Sequence, residues 1–322
     1  MCALFGWLDT KGITPHKLLL KLTQELANAS EERGTDAAGI SYVKNDKITI
    51  YKRPKPAHKL KFTFPENTKA VMGHTRLTTQ GNQRFNWNNH PFMGYADKSF
   101  AFAHNGVLYN DDTLRKDKKL PYTHIETDSY VAVQLIEKQG TLSFESLKSM
   151  AKDVHGNFTF TILDENNTLY FVKGSSPLHF IYFEKLGLYI YSSTESIMNK
   201  ALKATGLWKY KYEIIPVYEE DILSIDIDGN ISKSEFEAYR TSFYSNFYSP
   251  YDDFYNYHEE LLLEMCGYFG VDEEDITALL EYGYTSEEIE DMLMDTDILQ
   301  ESLKNIKCKE IEQYSELCRG VV

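Results

Sequence analysis

Met1-Cys2-Ala3-Leu4-Phe5-Gly6-Trp7-Leu8 opens the chain. From Ala3 onward the stretch is apolar enough to predict a buried strand. Cys2 stands at the threshold of that strand. Once Met1 is removed, which a small second residue permits, Cys2 carries a thiol and a free α-amine together. Their reference pKa values are about 8.5 and about 7.7–8.0. The amine can then take the thiol's proton near neutral pH without a separate histidine. A cysteine in second place is also simply a small hydrophobe entering a core. The strand alone does not choose between these readings.

Leu18, Leu19, Leu22 and Leu26 recur at helical spacing and predict an amphipathic helix ending near Ala29-Ser30. Residues 33–42 read as a Gly-bounded turn running into a strand. Lys47-Ile48-Thr49-Ile50-Tyr51 alternates and pairs with that strand as a hairpin across Asn45-Asp46. Residues 70–76 predict a further strand, breaking at Thr79-Gln80-Gly81. Residues 100–108 predict another, with Asn105-Gly106 inside it. A helix over about 128–138 would carry Val131, Leu135 and Ile136. Two strands flank the turn at 164–167, two more cover 179–183 and 188–192, and a short helix follows at 194–203. Residues 221–227 alternate strictly before Asp228-Gly229. Many strands with few helices between them predict a sheet-rich α+β fold whose helices cover the sheets.

The bulk properties narrow the function. A chain of 322 residues has room for one large core and a smaller module. A net charge of −14 would repel a phosphate backbone, so no nucleic acid is expected. Neither a targeting pattern nor an apolar run of about 18 residues is present, so a cytoplasmic protein without a membrane partner is expected. Cys2, Cys266, Cys308 and Cys318 form no C-x-x-C pair, which argues against zinc and against a disulfide framework. No metal and no cofactor are expected.

The order of polar residues at the strand ends is more specific. Cys2 is followed by Arg33-Gly34-Thr35-Asp36, Gly73-His74-Thr75-Arg76-Leu77-Thr78-Thr79-Gln80-Gly81, Asn89-His90-Pro91, His104-Asn105-Gly106 and Glu126-Thr127-Asp128. In that order these motifs resemble the class II glutamine amidotransferases, whose glutaminase domains use an N-terminal nucleophile. The resemblance covers about residues 2–240, including Gly174-Ser175-Ser176-Pro177-Leu178 and Ser192-Ser193-Thr194-Glu195. It implies a four-layer αββα sandwich and hydrolysis of the glutamine side-chain amide through a Cys2 thioester. It implies an oxyanion site made by the Asn105 side chain and the Gly106 backbone N–H. By the same resemblance Arg76 reads the substrate carboxylate, Asp128 its ammonium, Thr79 lines the pocket, and Arg33 orients the nucleophile's N-terminus. His74, His90 and His104 are expected to be structural, because the family needs no histidine base.

Ala3 stands where the family usually has Gly, Leu77 where many members have an aromatic, and Gln80 where the sugar aminotransferases have His. The resemblance assigns residues 1–240 to the glutaminase domain. An aromatic-rich linker is expected over 241–257 and a small acidic all-α module over 258–322, with helices opening at Asp272 and Thr285 and a third over 298–306. No sugar-isomerase, phosphoribosyltransferase or synthetase domain is expected after residue 240. An acceptor enzyme on another polypeptide, or a homo-oligomer, reached through 241–322 would then take the ammonia. Two alternatives stand beside this reading: a cysteine N-terminal amidohydrolase acting on another amide, and a non-catalytic glutamine-sensing protein.

Overall fold

β1 (Ala3–Asp9) is buried along its whole length because it lies mid-sheet with layers on both faces. The computed structural model describes residues 2–238, 271–282, 284, 286–293, 298–300, 302–304 and 306. Two units divide the chain, Met1–Tyr239 and Arg240–Val322.

In the first unit β1 leads through α1 (His16–Ala29) to the hairpin of β2 (Ala37–Lys44) and β3 (Lys47–Arg53), and then to β4 (Ala70–Arg76). The hairpin turn places Asn45 and Asp46 at φ 50° and 57°, the left-handed region that Asn and Asp tolerate best after Gly. β5 (Phe92–Tyr95) and β6 (Ser99–Leu108) precede three helices, α2 (Asp111–Asp117), α3 (Tyr130–Gln139) and α4 (Phe144–Asp153). Next come β7 (Gly156–Asp164), β8 (Leu169–Lys173), β9 (His179–Phe183), β10 (Leu188–Ser192) and α5 (Glu195–Thr205). β11 (Glu213–Ile214), β12 (Asp221–Ile225) and β13 (Ile231–Glu235) complete the unit.

The strands form two antiparallel sheets, in the orders β11-β9-β10-β1-β4-β2-β3 and β13-β12-β8-β7-β6-β5. Three apolar layers hold them. Phe5, Trp7 and Val71 meet Leu19, Leu22 and Leu26 of α1 and Ile197 and Met198 of α5. Leu4, Leu8 and Met72 of one sheet meet Ala101, Ala103 and Phe171 of the other. Phe102, Phe160 and Val172 meet Val131, Ile136, Leu147 and Met150 of α3 and α4. The α+β four-layer sandwich follows from this stacking. Alternation along β1 and β4 sends even-numbered residues between the sheets. Cys2 and Arg76 therefore reach the end of the layer that Leu4 and Met72 fill further in.

Two helices and two strands have no counterpart among the sequence expectations: α2, α4, β5 and β11. α4 had a readable start, since Ser143 and Ser146 form a reciprocal capping box. In the second unit α6 (Glu273–Tyr282) buries Ile276 and Leu279, and α7 (Ser286–Leu293) buries Ile289 and Leu293. The expected linker at 241–257 lies outside the described residues, as do Gly283 and Thr285. No helix among the described residues is long and apolar enough to cross a membrane.

Candidate active site

The Arg33-Gly34-Thr35-Asp36 segment ties β1 to the end of β4. Arg33 Nε donates to the Cys2 carbonyl oxygen at 3.0 Å. Gly34 passes against the Arg76–Leu77 peptide, where an added Cβ would lie 2.4 Å from the Arg76 carbonyl carbon. Asp36 takes hold twice: its N–H donates to Arg76 O at 2.9 Å, and its carboxylate accepts the Thr78 N–H at 2.8 Å. The Cys2 thiol donates to Leu77 O at 3.4 Å in the same turn.

Arg76 ends β4 and is 3% exposed. Its Nη1 donates to Asn89 Oδ1 at 2.8 Å, and its Nη2 to the carbonyls of Gln80 and Gly81 at 2.5 and 3.2 Å. The Nε–H and one Nη1–H remain for a ligand. Thr79 lies part-buried in the turn between Thr78 and Gln80. Beside that turn opens a cleft of about 620 Å³ lined by Gln80, Trp87, Asp111, Arg115, Tyr122 and Glu126 among others. None of Cys2, Arg33, Arg76, Thr79, Asn105, Gly106 and Asp128 lines it.

Asn105 and Gly106 sit within β6, opposite Thr159 and Phe158 of β7, and form no turn. The Asn105 side chain is wholly buried, and neither its oxygen nor its nitrogen has a hydrogen-bond partner. A buried amide left unpaired costs about 1–3 kcal/mol, so a folded chain keeps one for a reason. Gly106 has φ 136°, and a Cβ there would fall 1.8 Å from Asn157 O. Only glycine fits. Asp128 precedes α3, accepting from Leu108 N at 2.7 Å and from Ser129 Oγ at 3.1 Å.

Charge in this region is set mainly by burial. Burial pushes the Cys2 thiol up; Arg76 pulls it down and Asp128 pushes it further up, so both charges lie within reach of the sulfur. Burial also lowers Arg76, opposed by Cys2 and Asp128. His74 is lowered to about 3, His90 well below its ordinary value, and His104 lowered, each chiefly by burial. All three are therefore neutral at pH 7. His74 Nε2 meets His104 O at 2.9 Å, and His104 Nδ1 meets Ser129 Oγ at 2.8 Å. His90 is different: it packs tilted between the rings of His74 and Phe92 with neither ring nitrogen bonded.

Cys2, Arg33 and Arg76 are thus linked through one turn, and Asp128 comes within electrostatic range of Cys2 and Arg76. Sequence reasoning missed the linking groups. Asp36 and Asn89 lay inside quoted motifs without a role, and nothing in the spacing revealed that Lys52 of β3 approaches Asn89.

The family described as Glutamine amidotransferase domain matches residues 74–199. Glutamine–fructose-6-phosphate aminotransferase [isomerizing] of Staphylococcus aureus is 30% identical over 242 residues, covering 72% of this chain and 38% of that protein. The Staphylococcus epidermidis enzyme of the same name is 29% identical over 246 residues, covering 73% and 39%. The chain thus spans about two fifths of the length of the curated relatives it matches. Among solved structures, glutamine phosphoribosylpyrophosphate amidotransferase from B. subtilis superposes with a TM-score of 0.57 at 20% identity. A structure titled as the allosteric regulatory enzyme of purine biosynthesis gives 0.59 at 20%. Each covers 73% of this chain and 49% of its own, and each likeness is one of fold. The chain thus carries a match to the glutamine amidotransferase domain over residues 74–199, is similar over 242 residues to the glutamine–fructose-6-phosphate aminotransferases, and shares the layered fold of the phosphoribosylpyrophosphate amidotransferase.

Proposed function

We propose that the first unit hydrolyses the side-chain amide of glutamine to glutamate and ammonia through a thioester on Cys2. The observation that carries this is the Asn105 amide, wholly buried and unbonded on the strand that also holds Gly106. A preplaced donor is what a developing oxyanion requires. With Met1 removed, the Cys2 α-amine takes the thiol proton, and sulfur attacks the amide carbon. The new C–S bond places negative charge on oxygen, which the Asn105 Nδ2 and Gly106 N–H receive. Collapse breaks the C–N bond, and the α-ammonium returns its proton to the departing nitrogen as ammonia. Water then cleaves the thioester and frees glutamate.

The remaining residues bind and hold. Arg76 offers its Nε–H and Nη1–H to the substrate carboxylate, and Asp128 supplies countercharge for its ammonium. Thr79 lines the pocket, and Arg33 fixes the Cys2 backbone. A carboxylate in the substrate and an anion in the reaction both suit a site that contains buried Arg76. In this reading the ammonia passes to an acceptor on another polypeptide, with residues 241–322 as the docking element. Intact mass spectrometry and an ammonia-release assay on the purified chain test the chemistry. An active preparation that retains Met1 throughout would refute the N-terminal base, and absence of turnover in Met1-free protein would refute the hydrolysis.

A further inference from the structure

Arg76 does not hold its own position. Its Nη1 donates to Asn89 Oδ1 at 2.8 Å, and both residues are buried, Asn89 completely. The other end of the Asn89 amide is committed too: Nδ2 donates to Gln83 O at 2.8 Å. One amide thus grips the guanidinium and the turn that supplies the Gln80 and Gly81 carbonyls to that guanidinium. The Asn89 backbone is fixed in turn by β3. Lys52 Nζ donates to the carbonyls of Asn89 and Pro91, the latter at 2.9 Å, and the Lys52 carbonyl accepts from Asn86 Nδ2 at 3.0 Å. Gly39 makes room for this packing, since a Cβ there would lie 2.5 Å from His90 O.

We propose that Asn89 is a positioning residue for Arg76, braced by Lys52, and that it sets the guanidinium plane that receives the α-carboxylate of the substrate. This rests on glutamine being the substrate and Arg76 its carboxylate partner. Arg76 has five N–H groups in a fixed plane, and anchoring Nη1 and Nη2 leaves the plane no rotation to spend when a carboxylate arrives. Without Asn89 a buried Nη1–H loses its acceptor and the turn over Gln83 loses its donor, so the plane must find a new rest position. The change is felt in ground-state binding, because the carboxylate is remote from the reacting amide.

Steady-state glutamine hydrolysis by the full chain tests this, with thermal melting alongside. A hydrogen bond to a charged group is worth about tenfold or more in binding. Asn89→Ala should therefore raise KM about tenfold or more and leave kcat within about threefold. In combination with Arg76→Lys the penalty should not multiply, because Asn89 acts through Arg76. Asn89→Asp keeps the size and the acceptor but neutralises the guanidinium and loses the donor to Gln83, so KM should rise further than in Asn89→Ala. A KM within about twofold of wild type, or penalties that multiply in the double variant, overturns the inference. So does failure of both Asn89 variants to fold, which would make Asn89 a folding residue. A wild-type chain with no glutamine turnover would instead remove the functional reading beneath it.

Discussion

Arg33 holds the backbone of Cys2: its Nε–H donates to the Cys2 carbonyl oxygen at 3.0 Å. A residue carrying both nucleophile and base is tethered on one side only, so its orientation has to come from its carbonyl. A charge-assisted bond is well suited to that task. Arg33→Ala should therefore lower kcat for glutamine about tenfold to a hundredfold while KM moves less than threefold. The melting temperature should stay close to wild type. If instead KM rises and kcat holds, Arg33 reads substrate and does not orient the nucleophile.

Asn105→Ala separates activity from stability. An oxyanion donor is worth about 10²–10³ in kcat. Yet the Asn105 amide has no partner in the folded chain, so removing it discards an unpaid desolvation cost and breaks no bond. The expected pattern is a kcat lower by about 10²–10³, a KM within threefold, and no loss of melting temperature. Equal losses of stability and activity would make Asn105 a structural residue.

Much of this was legible in the sequence, and the exceptions have physical causes. Alternation at 47–51 and 221–227 announced β3 and β12. The site motifs were readable because each packs a backbone where only one residue type fits: Gly34 against the Arg76–Leu77 peptide, Gly106 against Asn157 O. The brace behind Arg76 was not. Lys52 and Asn89 are 37 residues apart and meet only because β3 and the segment before β5 converge. β5 itself has four residues, too few for a period to show. The surroundings of His90, buried between two rings with both nitrogens unbonded, had no trace in the spacing.

Acid should weaken the fold through the buried histidines. His74 is lowered to about 3, His90 well below its ordinary value and His104 lowered, against about 6.5 in an unfolded chain. Below pH 6.5 the unfolded chain therefore binds more protons than the folded one, and stability rises with pH across that window. The stabilisation is complete above about pH 6.5 and is lost as pH falls toward the folded values, at about 1.4 kcal/mol per pH unit for each proton of difference. The denaturant midpoint should fall between pH 7 and 5. His90→Phe should flatten the slope by about one proton, since it keeps a ring packed between His74 and Phe92 and breaks no hydrogen bond. A midpoint independent of pH over that range would mean that the imidazoles are protonated in the folded chain.

Glutamine hydrolysis should reside wholly in the first unit, and the place to cut follows from its edge. β13 pairs with β12 along its length, and Lys233 bridges to Asp221 at 2.7 Å. Just beyond, Phe236 is buried beside Phe158, with ring centroids 6.0 Å apart, and its N–H donates to Glu220 O at 3.0 Å. The Ala238 N–H then reaches the Glu220 carboxylate at 3.0 Å. A chain ending at residue 239 keeps all of these contacts and every residue assigned to the site. It should turn over glutamine within about threefold of the full chain, the margin set for an unperturbed transition state. A chain ending at residue 230 loses β13 and Phe236, which exposes Phe158 and leaves β12 as a bare edge. Exposed strand edges of that kind pair with other chains, so this shorter chain should aggregate. If the chain ending at 239 is folded by circular dichroism yet hydrolyses no glutamine, residues 240–322 contribute to the site, and the assignment of the chemistry to the first unit is wrong.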